Sequence, residues 1–221
     1  MTAQAVLAIC GSNLTGDVPF SCALAIGDRV TAARSAPGVR GDLVVLVQQL
    51  CREAGIGPEQ LGGLRVDVGP GSYTGLRVAV TFVRFLQQFG TLPVAAIDSL
   101  ALLAARAAAQ GPAAVRVLLD ARRERVHVQD FAVAPGRIVA TTAPAAVPLA
   151  DVLARLRAGD VVVVPATLPP AIAEPLRQAG AELRLERDLV AAEMFAPGLP
   201  FAPAASAELE PRYLMASYAE D

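Results

Sequence analysis

Residues 64–89 read LRVDVGPGSYTGLRVAVTFVRFLQQF: an apolar run, a glycine-rich turn, then a second and longer apolar run. Gly69, Pro70, Gly71 and Gly75 break any continuous element there, so the segment reads as strand, tight turn and helix. At 100° per residue the helix over 75–89 gathers Leu76, Val78, Ala79, Val80, Phe82, Val83, Phe85, Leu86 and Phe89 on one arc of roughly 220°. Arg77, Thr81, Arg84 and Gln88 hold the remainder. A helix lying on a sheet needs only about 100° of apolar face, so this one meets apolar surface on two sides. One side is its own sheet. The other is the preceding helix of the same domain or a helix of a partner, and the residues leave both open.

The flanking sequence supplies the sheet. AVLAIC (5–10), FSCALAIG (20–27) and RVTAARS (29–35) are apolar or alternating runs, with Gly27-Asp28 as a hairpin turn between the last two. Asp42 is placed to cap a helix in which Leu43, Leu46, Val47, Leu50 and Ala54 recur at helical spacing until Gly55 stops it. After the strand at 64–69 and the helix at 75–89 come a strand at 93–97 and, capped by Asp98 or Ser99, a helix at about 100–109. The order β-β-β-α-β-α-β-α is that of an RNase H-like or actin-like domain. Gly111-Pro112 then punctuates the chain. Beyond it, strands are expected at 115–120, 125–131, 137–142, 161–164 and 182–185, with helices near 149–157, 171–179 and 188–195. The second half repeats the kind of elements in the first. The expectation is an α/β chain of two tandem actin-like domains, 1–110 and 111–221. The first has a mixed five-stranded sheet flanked by helices; the second is smaller and degenerate. The Pro- and Ala-rich stretch 197–221 is expected along the surface.

Composition narrows the chemistry. All 19 basic residues are Arg, so neither a Schiff-base lysine nor a lysine-bearing phosphate loop is available. The net charge is −2 without a basic block, which disfavours autonomous nucleic-acid binding. Cys10, Cys22 and Cys51 form no C-x-x-C pair and read as buried thiols in a reducing compartment. No apolar stretch approaches the roughly 18 residues needed to span a bilayer, so a cytoplasmic protein with no membrane partner is expected. His127 is the only histidine, which excludes a multi-histidine metal site and leaves a half-buried strand residue; no metal is expected. Arg122, Arg123 and Arg125 beside Asp120 read as a solvated hairpin tip, with a contact to phosphate as the alternative. Asp67, Asp98 and Asp120 read as caps and turns.

The turn G-P-G-S-Y-T-G fails both common nucleotide patterns. Its third glycine falls one residue late for a dinucleotide fingerprint, and a Walker loop needs a lysine. An anion or nucleotide at Gly69, Gly71, Ser72, Thr74 and Gly75, on the helix N-terminus, is the lesser reading; the greater is a strand-to-helix turn, with Ser72 or Thr74 as cap.

Three stretches carry a resemblance. GPGSYTGLRVAVTFVRFLQQFGTLPVAAIDSLALLA, LLDARRERVHVQDF and ELEPRYL are similar, in sequence and spacing, to the central segment, the hairpin and the closing motif of the TsaB/YeaZ family. The resemblance implies two actin-like domains and a non-catalytic role in placing threonylcarbamoyl on the adenosine beside the tRNA anticodon. It implies a TsaD-like transferase as heterodimer partner, a TsaE-like ATPase, and tRNA met only through the complex. It also places the dimer contact on the two helices of the first domain. The partner interface is therefore expected at Leu76, Arg77, Val80, Thr81, Phe82, Arg84, Phe85 and Gln88, with Leu46 and Leu50. A homodimer is expected in isolation. No cofactor is expected, apart from a possible nucleotide shared at the partner interface. The chain departs from the family at ICGSN, where Cys10 stands in place of the usual Asp, in the lengthened loop that follows, and at GVRGD before the first helix. The rival reading is an actin-like ATP-binding kinase or ATPase acting alone.

Overall fold

The computed structural model describes residues 4–14, 18–36, 42–187, 189–205 and 207–212, and the side chain of Phe89 is outside that description. Most of GVRGD, the middle of the loop after the first strand, and the last two residues of ELEPRYL lie outside the described residues.

The first sheet is built from β1 (Ala5–Cys10), β2 (Ser21–Ile26), β3 (Arg29–Arg34), β4 (Leu61–Asp67) and β5 (Val94–Ile97), in the order β5-β4-β1-β2-β3. β1, β2 and β3 form the antiparallel meander, and β4 and β5 add in parallel through crossover helices. The second sheet uses β6 (Ala113–Asp120), β7 (Arg125–Ala134), β8 (Arg137–Ala140), β10 (Val161–Pro165) and β11 (Glu182–Glu186), in the order β11-β10-β6-β7-β8. Taken in chain order within each half, both sheets run fifth, fourth, first, second, third, with the same parallel and antiparallel pairings. The repeat expected at the level of elements is thus a repeat of topology.

Each sheet gains a strand that the sequence did not reveal. β9 (Ala145–Pro148) pairs with β7, and β12 (Ala202–Ala204) pairs antiparallel with β5, so both sheets are six-stranded among the described residues. The five strands expected of the first sheet are thus six. β12 reads APA; a three-residue strand with a central proline has no periodicity to detect and is tolerated only at a sheet edge. The expected helix near 188–195 is a 3-10 helix, Ala191–Phe195, and the helix expected over 149–157 is only Leu149–Leu153, here α4.

Five layers follow from the burial. α1 (Leu43–Ala54) and α2 (Tyr73–Gly90) cover one face of the first sheet, burying Leu46, Leu50, Ala79, Val80 and Val83 against Leu7, Ile9, Leu64 and Val66. The small side chains Ala8, Cys10 and Ala23 of the opposite face enter a second core, which they share with the 3-10 helix Ala191–Phe195 and with α3 (Ser99–Ala108). α3 in turn lies on Val115, Val117, Phe131 and Val163 of the second sheet. Leu100, Leu102, Leu103, Ala104 and Ala107 are all fully buried. An Ala- and Leu-rich helix with apolar residues all round suits a position between two sheets. α4 and α5 (Pro170–Gln178) close the far face over Leu118, Val126, Val162 and Val164.

The boundary expected at 110/111 divides the sequence more cleanly than the packing. Besides β12, the 3-10 helix at Ala191–Phe195 packs against β1, β2 and β3, and Leu209 is buried in the core under α1 and α2. Arg65 on β4 fixes this return: its guanidinium lies between the rings of Phe195 and Phe201, at 4.8 and 4.7 Å from their centroids, and donates to the Met194 carbonyl. The tail expected along the surface is therefore partly core.

Replacing Leu103 by Ala should empty volume between both sheets at once and cost about 3 kcal/mol, read from the urea midpoint. A loss under about 1 kcal/mol would contradict a shared central layer.

Candidate functional site

α2 begins where the sequence placed a turn. Ser72 is its N-cap, its Oγ accepting from the Gly75 N–H at 3.3 Å. Each glycine of the loop has a local reason. Gly69 has φ 104°, a conformation that L side chains rarely adopt. A Cβ on Gly75 would stand 2.1 Å from the Gly11 carbonyl oxygen, and one on Gly71 2.6 Å from Ser12 Cβ. The turn therefore lies backbone-to-backbone on the loop after β1, sealed by the Ser72 N–H donating to the Ser12 carbonyl at 2.8 Å. The donors of Gly69, Ser72 and Gly75 are used within the chain, on Asp67, Ser12 and Ser72 respectively. Thr74 lies exposed on the first turn of α2.

Beneath the loop, Asp67 is fully buried at the end of β4. Its Oδ1 accepts from Ser99 Oγ at 2.6 Å and from the Gly69 N–H at 2.9 Å, and its Oδ2 from the Cys10 thiol at 3.3 Å. Burial raises its carboxyl above the usual carboxylate range, against the lowering effect of these hydrogen bonds. Cys10 holds its proton well above the ordinary thiol range, first through burial and then through the Asp67 charge. Burial pushes the Cys22 thiol up to about 12. All three cysteines are buried and free. Asp67 and Cys10 thus form a hydrogen-bonded joint between β1, β4 and α3.

The remaining candidates fall as turns and caps. Asp120 accepts from the Arg122 N–H at 2.7 Å, and Asp98 occupies the N-cap position of α3. Arg122, Arg123 and Glu124 all have positive φ at the tip between β6 and β7. Arg122 pairs with Asp120, and Arg125 donates to the Ala146 carbonyl. His127 is half-buried on β7, and desolvation lowers its pKa. Among the described residues no group of three or more His, Cys, Asp or Glu is arranged to hold a metal ion. No helix among them is long and apolar enough to cross a membrane.

The outward face of α2 is different. Arg77, Val78, Thr81, Phe82 and Phe85 line an open apolar groove of about 400 Å³. Phe85 is 54% exposed and Tyr73, one turn before Arg77, 56%. The Arg77 guanidinium lies over the Tyr73 ring at 5.3 Å and donates to its hydroxyl. Of the expected interface residues, Arg77, Thr81, Phe85 and Gln88 are exposed, and Phe82 and Arg84 half-buried. Leu46, Leu50, Leu76 and Val80 are not available to a partner: at 8%, 0%, 1% and 2% exposure they are consumed by the first core. The two-sided apolar arc of α2 is thus divided. Its inner part meets the sheet, Phe82 and Leu86 pack at the edge of the core shared with α1, and Val78 and Phe85 remain outside. Val78 and Tyr73 belong to the exposed face although the sequence did not single them out. Val78 stood on the apolar arc; Tyr73 falls ahead of the expected helix start.

A family model described as "TsaD: tRNA N6-adenosine threonylcarbamoyltransferase" matches residues 40–196. The tRNA threonylcarbamoyladenosine biosynthesis protein TsaB of Bacillus subtilis (strain 168) is 30% identical over 156 residues, 70% of this chain and 67% of that protein. The chain belongs to the TsaB/YeaZ family. Its fold is also that of the solved YeaZ from Pseudomonas aeruginosa, with a TM-score of 0.75 and 22% identity, over 96% of this chain and all of that one. A second solved structure, described as a protein with similarity to peptidase YEAZ from Pseudomonas aeruginosa, matches with a TM-score of 0.74 over the same shares. In this TsaB/YeaZ-family chain Cys10, the last residue of β1, stands where the resemblance leads one to expect a carboxylate, and its thiol donates to Asp67.

Two outcomes check this reading. Gly75→Ala should cost on the order of 2 kcal/mol of stability because the new methyl meets backbone, not a flexible side chain. Asp67 has a raised folded pKa, so its contribution to stability is full in acid and fades as pH rises through that value. Asp67→Asn should remove this dependence. The urea midpoint of the variant relative to wild type should rise as pH increases from the ordinary carboxylate range upward; a constant difference at every pH would refute a protonation-coupled Asp67.

Proposed function

We propose that this chain serves tRNA threonylcarbamoyladenosine biosynthesis as a subunit without catalytic groups of its own, docking a TsaD-like transferase on the outward face of α2. The observation that carries the reading is the apolar groove of Val78, Thr81, Phe82 and Phe85 with Arg77 at its rim, on a helix whose inner face is already satisfied by the core. The name of the Bacillus subtilis relative supports the pathway. The non-catalytic reading is supported by the fate of the reactive side chains. The thiols are buried, with Cys10 and Cys22 held protonated, and the Asp67 carboxyl is committed to joining elements of the fold. A TsaE-like ATPase and tRNA then meet the chain only as parts of the assembled complex, in the cytoplasm. Without a transferase, a second copy occupies the same groove, since a patch complementary to an apolar partner helix also suits its own symmetric mate.

Phe85→Glu is the decisive variant. Phe85 lies outside the core, so the fold should persist, whereas Phe82 packs partly into it and its replacement would confound binding with stability. The variant should weaken the heterodimer by at least ~30-fold, about 2 kcal/mol at a buried aromatic anchor. Light scattering after size exclusion, on the chain alone and mixed with the TsaD-like protein of the same organism, reads both states. A folded Phe85→Glu protein that pairs like wild type would overturn the assignment.

A further inference from the structure

The segment that returns from the second sheet passes against the glycine loop, and its contacts there concern the docking face directly. Leu209 is only 2% exposed and lies in the same core as Val68, Ala79, Val80 and Val83, the loop's base and the inner face of α2. Three residues on, the Arg212 N–H donates to the Val68 carbonyl at 2.7 Å, and Arg212 Nη1 pairs with Asp98 Oδ2. The Arg212 carbonyl oxygen stands 3.3 Å from where a Gly69 Cβ would be, and Leu76 Cδ1 of α2 2.7 Å from the same point. Residues 68–69 are thus bounded on one side by the tail and on the other by the β5–α3 junction. That junction is bonded to them through the Val68 N–H to the Ile97 carbonyl, the Ser99 N–H to the Gly69 carbonyl, and Ser99 Oγ to Asp67. Asp98 belongs to both boundaries, since it begins α3 and holds Arg212.

We infer that residues 207–212 are a strap that sets the position of the glycine loop and, through it, of the first turn of α2 and the groove that follows. Arg212 is its positioning residue: it touches no part of the groove, and acts through Val68, Gly69 and Asp98. The argument of geometry is that α2 hangs from a loop with small side chains and little grip of its own. Its entry is fixed by Ser12 on one side and by the strap on the other. A docking helix whose N-terminal turn shifts by an ångström presents its anchors out of register, so strap and partner affinity are linked. The effect on docking rests on the function proposed above; the effect on the loop does not.

Amide hydrogen exchange on the full chain tests it, with Arg212→Ala, Arg212→Lys and Asp98→Asn beside wild type. Release of the strap should raise exchange of the amides at 69 and 71–76 by about fivefold or more in Arg212→Ala and Asp98→Asn, while amides of β6 and β7 keep wild-type rates. Arg212→Lys, which keeps a charge for Asp98, should restore much of the protection. Unchanged exchange at 69–76, or an equal rise in both sheets, would overturn the strap. Self-association and pairing with the transferase are read on the same samples by light scattering and should weaken in Arg212→Ala, with Phe82 and Phe85 intact. If wild type pairs with nothing, the docking function fails while the exchange data still decide the strap. If pairing is strong and Arg212→Ala leaves it unchanged, the link between strap and docking fails.

Discussion

Everything else in the molecule hangs on one core between the two sheets, filled by α3 and the 3-10 helix Ala191–Phe195. The alanines of α3 allow the sheets to approach, and its leucines fill what remains. To this core the first sheet contributes Ala8, Cys10 and Ala23, and the second the larger Val115, Val117 and Phe131. A bulky helix against two bulky faces would have forced the sheets apart; small against small on one side and small against large on the other gives contact at interior density. Because α3 starts at the Asp98–Ser99 corner, the same packing fixes the floor of the glycine loop. Core and candidate site are therefore parts of one arrangement.

That arrangement also explains why the loop looks like a ligand cradle. A glycine-rich turn between a parallel strand and a helix is where phosphates are bound in many α/β proteins. Here the glycines are required by backbone approach to Gly11 and Ser12, and the carboxyl nearest the turn belongs to the chain itself, Asp67, which accepts from the Gly69 N–H. The turn's work is to aim α2.

Much of this was legible in the sequence because its signals are local. The Asp42 cap, the Gly55 stop, the Gly27-Asp28 turn and the alternation of strand and helix all appear where the residues put them. The excess apolar arc of α2 marked a helix with more apolar surface than its own core covers, since Val78 and Phe85 stay exposed. What stayed hidden was long-range. β12 has no periodicity of its own and exists because β5 leaves an edge to pair with. The Arg65 clamp joins residues whose proximity only the fold creates. The burial of Leu46, Leu50, Leu76 and Val80 was invisible for a related reason: helical spacing ranks residues by face but does not say how deep each face sinks.

The closing strand has a consequence for how the chain is made. β5 and β12 are separated by roughly 100 residues of sequence, and pairings of such reach form late. During synthesis the first sheet emerges early yet keeps an open edge, with Leu209 missing from its core, until residues 202–209 leave the ribosome. The half of the molecule that bears the groove is thus completed only after the second half has been made, so a chain stopped before residue 202 lacks a finished first core under α2 as well as part of its second half.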